Sequence, residues 1–591
     1  MFGLGVAFND VPVYQQAQGF FAGGTNLFAS QTSYDTHSFR SKKLLTQAVA
    51  STLGITNNVA TTNPPGTVVL KDGTLGYGAH NTVRQSGDLS QAVWTKRGTA
   101  TAAAGAARGN GVTMSLISVG AAGVNDIYAF TSNLAVATDA RCEPVFYIEP
   151  VSTSGTLQIS NVNNSGKGNW SINLALISGP TLINRYHAAV TVTNEWKSTD
   201  GTGAGSGPNI YAASGTLSVY IAAQISNGAV PLDYVPTTSA AVYGPRFTHD
   251  NTNSTYFGLY GVYPQAGLLR EVARTNVATR SEEFDHATYT KAGATTVTAN
   301  AAIAPNGTTT ADKIIPGANG SSTAISRSDG LQGSGKTMSV YLKAGEITVV
   351  KGQDGAGQEW TADLATGVLS GVSAVWASPK LKPVGAGWFR LCLTNAGAAA
   401  GEFYLGSSAG AGGSNGFYIW GLQIETGTFE TSYIGPVISA AVARDADLIR
   451  PPTTYVSAAG PQTTMMGIVA QDASTSQQLL AADTNGRVAY ILGGNIQMYD
   501  GANAAVSSGG VVAGVPVQLA TRYGSSAMGV SVNGAAVVTA TFDGSMGPGG
   551  SAGLGDNASG GNGFTGLITR IAIAPKVATD TQLQQLSAGL L

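Results

Sequence analysis

The chain has 591 residues, enough for several domains. Only 11% of them are charged, the net charge is −2 and 79 are glycine, a balance that gives no electrostatic footing for nucleic acid. Hydrophobic residues at 43% exclude a disordered chain, and no apolar run of about 18 residues is present to span a membrane. Residues 1–80 differ in pattern from the rest of the chain. The opening stretch lacks a basic start and is not read as a secretory leader. Leu44, Leu45, Val49 and Leu53 recur at helical spacing before Asn63-Pro-Pro-Gly66 breaks the chain. The segment is too thin for a core of its own, so a short N-terminal anchoring or assembly arm is expected, with a small extra layer on the first module as the alternative.

A module begins at 81 that the chain writes twice. Asn81, Ser86, Ala92, Thr95, Lys96 and Gly98 return, without a gap, as Asn276, Ser281, Ala287, Thr290, Lys291 and Gly293. Leu89 and Trp94 return as Phe284 and Tyr289, which keeps the large apolar positions. The closing phrase repeats as well: Gln224, Gly228 and Tyr234 match Gln423, Gly427 and Tyr433. Pro236 and 239–242 then match Pro436 and 439–442 after one inserted residue. Trp170 with Leu174 is matched to Trp360 with Leu364, and Trp196 to Trp388. A repeat this long is an architectural signal. It defines module 1 at 81–246, a connector at 247–275 and module 2 at 276–446. Strands are expected at 126–130, 144–149, 215–222 and 337–343. Cys142 and Cys392 fall at non-equivalent places, so no disulfide is common to both modules and two buried free thiols are expected.

The pattern changes at 447. Strands at 464–470, 488–492, 497–499, 515–523, 528–532, 535–542 and 565–574 are separated by turn residues, of which Asp500-Gly501 and Asn533-Gly534 are the strongest hairpin signals. A short helix is expected from Thr579 to Leu586, capped by Thr579 or Asp580. The fold class is therefore all-β: tandem antiparallel β-sandwiches, two related modules and a third sandwich of another type at 447–591.

The phrases 280–285, 289–291, 304–308 and 310–313, with 340–345 and Trp420-Gly-Leu-Gln423, resemble a repeat of tailed-bacteriophage virion proteins. Residues 554–557, 564–568 and 574–576 resemble a concanavalin-A/laminin-G-like sandwich. Together these resemblances cover roughly 80–591 and imply a virion surface or tail-fibre protein. Such a protein would leave the cell inside a particle, dock to other virion proteins through its N-terminal arm and assemble as a homotrimer. Module 1 departs from the pattern, with Gln85-Ser-Gly-Asp88 where module 2 has Arg280-Ser-Glu-Glu283, and without a copy of 310–313.

Several catalytic motifs fail on their mechanics. Gly330–Thr337 matches a phosphate-binding loop, but a phosphate cradle needs a helix after it, and 337–343 alternates as a strand. Three Gly-x-Ser-x-Gly matches, at 406–410, 412–416 and 549–553, need a later histidine, and the last histidine is His286. The five histidines never fall at metal-ligand spacing. Glu282 and Glu283 are adjacent and read as a turn. The expectation is no catalytic residue, no metal and no cofactor. Sugar binding needs aromatic faces and short polar side chains. Tyr490, Tyr499, Asp500, Asp556 and Asn557 supply both in the last sandwich and are the candidate glycan contacts. The expected partner is host cell-surface glycan. A capsid-decoration or spacer protein is the alternative, and a polysaccharide-degrading tailspike would require β-helix repeats that the sequence does not show.

Overall fold

The computed structural model describes residues 56–57 and 66–589, apart from short stretches of which the longest are 130–141, 197–206 and 451–460. The helix expected at 41–53, and most of the arm, lie outside the described residues. The chain divides into two compact units, one holding Gly76–Gly244 and the other Gly66–Leu75 with Pro245–Leu591.

Module 1 is a sandwich of two antiparallel sheets, each six-stranded among the described residues. One sheet runs Thr181–Ile183, Cys142–Pro150, Leu217–Asn227 and Thr113–Val119, with Thr101–Ala102 and Ala106–Ala107 at its far edge. The other runs Thr95–Lys96, Ile127–Tyr128, Pro208–Ala212, Thr156–Asn161, Asn169–Asn173 and Val190–Asn194. Alternate residues of each strand point inward, as the period of two requires. Phe146, Ile148, Ile159, Trp170, Val219 and Ile221 thus meet in one buried core.

Module 2 repeats this order. Trp388–Asn395, Lys336–Lys343, Phe417–Thr426 and Ala311–Ile315 form the first sheet, with Trp376–Pro383 and Thr296–Ala302 outside them. The second sheet runs Thr290–Lys291, Ser321–Arg327, Phe403–Ser407, Val349–Asp354, Glu359–Asp363 and Val368–Ser370. Trp170 pairs with Ile159 and Trp360 with Gly352, at the same place in each sheet and each in its module's core.

The pairing of Trp196 with Trp388 is overturned. Trp196 lies in the inter-sheet core, its carbonyl accepting from the Cys142 amide at 3.0 Å. Trp388 pairs with Lys343, at the opposite end of the equivalent strand, and faces outward. The cause is strand order. Module 1 visits its first sheet at 181–183 before its second at 190–194, whereas module 2 visits 368–370 before the 376–395 hairpin. Similar spacing along the chain therefore leads to different places.

The repeated phrases close each module on itself. Asn81 donates through Nδ2 to the carbonyls of Ala223 and Val235 at 3.0 and 2.9 Å, and Asn276 does the same to Leu422 and Ile434 at 3.2 and 2.9 Å. Ser86 meets the Tyr234 hydroxyl at 2.8 Å, and Ser281 meets that of Tyr433 at 2.9 Å. Gln224 and Gln423 accept from the Val235 and Ile434 amides at 2.6 and 2.7 Å. Lys96 and Lys291 cap the carbonyls of the turn before them. Gln85 and Arg280 both hold a left-handed backbone, at φ 51° and 53°, and accept at their carbonyls from Trp94 Nε1 and the Tyr289 hydroxyl.

The third sandwich is discontinuous. Arg246–His249 and Gln265–Arg270, in the stretch expected to be a connector, are strands of its first sheet, followed in order by Gly566–Ala574, Gln462–Ala470, Pro516–Tyr523, Ala527–Val532 and Val538–Thr541. Its second sheet includes Ile449–Arg450, Gln477–Ala481, Arg487–Leu492, Asn495–Tyr499 and Ala504–Gly510, with Thr56–Asn57 paired at its edge. Module 2 interrupts this body through a two-stranded neck, in which Arg274 opposes Arg444 and Asn276 opposes Val442. The helix Asp580–Ser587 is capped by Thr579, whose hydroxyl accepts from the Gln582 amide while its own amide donates to the Gln582 side chain, and buries Leu583 and Leu586 against Met465 and Ala520.

Candidate functional site

The densest electrostatics lie at the base of that neck. Arg246 donates to Asp447 at 2.9 and 2.5 Å and to Glu271 at 2.8 Å; Arg444 also donates to Glu271. All four side chains are at most 3% exposed. Ser432 adds its amide and hydroxyl to Glu271, and the Glu271 amide returns to Asp447 at 2.9 Å. Burial alone would raise the Glu271 pKa, but Arg444 and Arg246 more than reverse it and hold the carboxyl well below the usual range. Asp447 is lowered in the same way, burial being outweighed by Arg246. This is a lock between module 2 and the third sandwich. Sequence reading missed it, although Arg246, Arg270, Glu271, Arg274, Arg444, Asp447 and Arg450 crowd the two junctions of a chain otherwise poor in charge.

The candidate glycan contacts fall in three places. Asp556 is fully buried and accepts from Arg450 at 2.6 Å and Arg270 at 3.4 Å. Tyr490 is buried and donates to Gln497 Oε1 at 2.8 Å. Asp500 organises its turn, accepting from the amides of Ala502, Asn503 and Asp543 at 2.9, 2.6 and 3.0 Å. Its burial raises the pKa, and those amide donors bring it below the usual carboxylate value. Tyr499 is partly exposed, and its hydroxyl donates to the Gly501 carbonyl at 2.5 Å. Tyr499 and Asp500 therefore share one turn. Asn557 and the 483–486 turn lie outside the described residues.

A second polar–aromatic cluster sits on the outer face of the first sheet of module 2. Tyr341, Trp388, Trp420 and Tyr433 are buried together there under Ala304, with Leu75 packed against them. Tyr433 donates to Glu282 Oε1 at 2.8 Å. Burial pushes the Glu282 carboxyl up to about 7, against the lowering effect of its bonds from Tyr433 and Trp420. Glu283 bonds instead to Arg280 at 2.8 Å, so the adjacent carboxylates are spent separately. Lys336, of the phosphate-loop pattern, opens a strand and donates to the Thr426 hydroxyl at 2.7 Å. Both cysteines are buried, and neither forms a disulfide. Among the described residues, no group of three His, Cys, Asp or Glu side chains is placed to hold a metal.

The fold is that of an all-β protein of tandem antiparallel sandwiches. No family model matches the chain, and no curated protein matches it. Among solved structures, the CBM40 domain of the Ruminococcus gnavus IT-sialidase, bound to α2,3-sialyllactose, is 16% identical with a TM-score of 0.20, covering 23% of this chain and 87% of that one. The CBM22-1–CBM22-2 tandem of Paenibacillus barcinonensis Xyn10C is 12% identical with a TM-score of 0.20, over 62% of this chain and 99% of that one. Domains LG4-5 of the mouse laminin α1 chain are 11% identical with a TM-score of 0.17, over 42% and 84%. These neighbours are carbohydrate-binding or laminin-type sandwiches. At such identities and scores the likeness carries no argument about ligand.

Proposed function

We propose that this chain is a non-enzymatic surface protein of a tailed-phage virion, a tail or surface fibre, that holds host cell-surface glycan through the turns of its third sandwich. The observation that carries the reading is the repeated clasp. The phrases that resemble a virion repeat are spent on closing each module, with Asn, Ser, Gln and Tyr in the same bonds twice. Modules built this way are supports, and loops on a rigid sheet scaffold are where binding residues collect. The partly exposed Tyr499, held at the Asp500 turn, is the best-placed contact of the four described candidates. In this reading the arm docks to other virion proteins and three copies assemble.

A spacer or capsid-decoration role is the second reading, favoured by the internal partners of Tyr490, Asp500 and Asp556. Competition separates the two. Purified full-length chain added to host cells should reduce phage adsorption in proportion to its concentration. Undiminished adsorption at saturating chain would leave the spacer reading. Release of reducing sugar ends from host polysaccharide would instead establish the tailspike.

A further inference from the structure

We propose that residues 66–75 form a strap that clamps the outer end of module 2 to the third sandwich, and that its release lets module 2 swing about the two-stranded neck. Strap, module 2 and third sandwich belong to one compact unit. The clamp rests on neither the glycan nor the virion reading.

Module 2 is held at both ends of its first sheet. One end is at the neck, where Lys336 opposes Thr426 and Arg274 approaches Glu425 at 3.7 Å. At the other end of the same strand Lys343 opposes Trp388. The eight residues Lys336–Lys343 separate the two, about 25 Å of extended chain. An antiparallel pair at one end of so long a body is a hinge unless something fixes the other end. The fastening there is Asn251, which is 7% exposed and lies beyond the strand Arg246–His249 of the third sandwich. Its Nδ2 donates to the Val384 carbonyl at 2.6 Å and to the Gly73 carbonyl at 3.0 Å. Val384 is in the turn closed by the Trp388 amide bonding to Gly385 at 2.9 Å. One side-chain amide therefore ties the third sandwich, the strap and module 2 together.

The backbone at this junction is shaped for close approach. Gly73 stands at φ +86° and Gly385 at φ +80°. A Cβ on Gly73 would lie 2.4 Å from the Tyr263 ring, and one on Gly385 3.1 Å from Asn251 Nδ2. The rest of the strap alternates between the two bodies. Thr67 donates its amide and hydroxyl to the Tyr433 carbonyl of module 2 at 3.2 and 3.1 Å. The Val69 amide then donates to Thr248 Oγ1 at 3.1 Å, and the Lys71 carbonyl accepts from the Tyr263 amide at 2.8 Å. Leu75 returns to module 2, its amide donating to the Pro305 carbonyl at 2.8 Å and its side chain packing on the cluster of Trp388, Trp420 and Tyr433.

The two fastenings differ in strength. The neck is backed by Arg246, Glu271, Arg444 and Asp447, all buried and ion-paired. The strap offers single hydrogen bonds and two apolar side chains, Val68 buried and Leu75 half-buried. A segment with so few buried contacts opens locally, well before the fold is lost. Release would leave the neck intact and module 2 attached by it alone. In sequence the strap joins the N-terminal arm to the smaller unit that begins at Gly76, so a pull between them acts on it.

The test uses full-length chain and two readouts. Hydrogen exchange at the Leu75 amide reports strap opening. Spin labels on Ser370→Cys in module 2 and Ala527→Cys in the third sandwich, both exposed, report the distance between the bodies, while the buried Cys142 and Cys392 stay unlabelled. The chain with native Asn251 should give one narrow distance distribution. Asn251→Ala should speed Leu75 exchange about tenfold, the effect of one lost hydrogen bond on an opening equilibrium, and broaden the distribution toward longer distances. A retained melting temperature separates release from lost fold. Should Asn251→Ala fail to fold, Leu75→Ala, which strands no polar partner, carries the same two readouts. Faster exchange with an unchanged distance distribution would show that the strap opens without holding module 2, and would overturn the clamp. Unchanged exchange and distance would remove Asn251 as the fastening and overturn it as well. So would a broad distribution with Asn251 in place, because module 2 would then be swinging with the strap closed.

Discussion

Ser281 shows how one hydroxyl can close a module. Its oxygen accepts from the Val437 amide at 2.9 Å and meets the Tyr433 hydroxyl at 2.9 Å, both out of water. Ser281→Ala would leave that amide without an acceptor, which costs about 1–3 kcal/mol. The urea midpoint of the variant should fall accordingly, and Ser86→Ala should do the same in module 1, where Thr237 donates to Ser86 at 2.9 Å. An unchanged midpoint in both would mean the clasp is not holding the modules. Glu282 makes a different prediction. Its carboxyl sits at about 7 in the fold against 4.5 in the free residue, so between those values the folded chain keeps a proton that the unfolded chain has lost. Stability is therefore full below about pH 4.5 and declines as pH rises to about 7. Glu282→Gln, which can still accept from Tyr433, should gain stability at pH 8 relative to wild type and show a smaller difference between urea midpoints at pH 5 and pH 8. A variant with the wild-type difference would locate the slope elsewhere.

At the scale of strands and turns, the lock at the neck decides most. Arg246 is the shared donor to Asp447 and Glu271, all three buried. Arg246→Met removes the donor and leaves two carboxylates in a dry site, with Arg444 still serving Glu271; a broken buried pair of this kind costs about 3–5 kcal/mol. Calorimetry should show the melting of the larger unit falling while that of Gly76–Gly244 stays put. A fall in both would contradict the division into units. This lock was not legible in the sequence, because its halves are some two hundred residues apart and no local pattern pairs Arg246 with Asp447. The strand Gln265–Arg270 was equally hidden: it is short, and it pairs with Gly566–Ala574. The module ends were legible because Asn, Ser, Gln and Tyr make directional bonds that few other residues can replace. The tryptophans were less reliable guides, since a large ring can serve either face of a sheet. Gly421 explains how Trp420 comes to face outward. It stands at φ +63° where the register with Ser339–Tyr341 shifts, and that bulge turns Trp420 outward. Of the candidate contacts, Tyr490, Asp500 and Asp556 were chosen by residue type, and type does not reveal that an acceptor is already engaged.

The connectivity of the whole molecule changes how it can be cut. Modules read in series suggest that 447–591 comes away as a domain. The sheets say otherwise, because that body also contains Arg246–His249 and Gln265–Arg270. Truncation after 446 would strip the Gln265–Arg270 strand of its neighbour Gly566–Ala574 and leave Arg246 without Asp447. Module 2, by contrast, enters and leaves through one antiparallel pair, with Arg274 opposite Arg444. Opposed residues of such a pair have Cα atoms about 5 Å apart, a gap that a two-residue hairpin turn spans. Replacing 275–443 by Asn-Gly should therefore leave Arg246, Glu271, Arg444 and Asp447 in place and the third sandwich folded. The excised chain should be soluble, melt cooperatively and protect the amides of Gln462–Ala470 from hydrogen exchange. It loses Ser432 from Glu271, so its melting point should drop. The chain truncated after 446 should aggregate or lose protection across Gln265–Arg270. The reverse result, a folded truncation and an unfolded excision, would show that the third sandwich depends on module 2 for more than the neck, and the insertion would have to be redrawn as a single body.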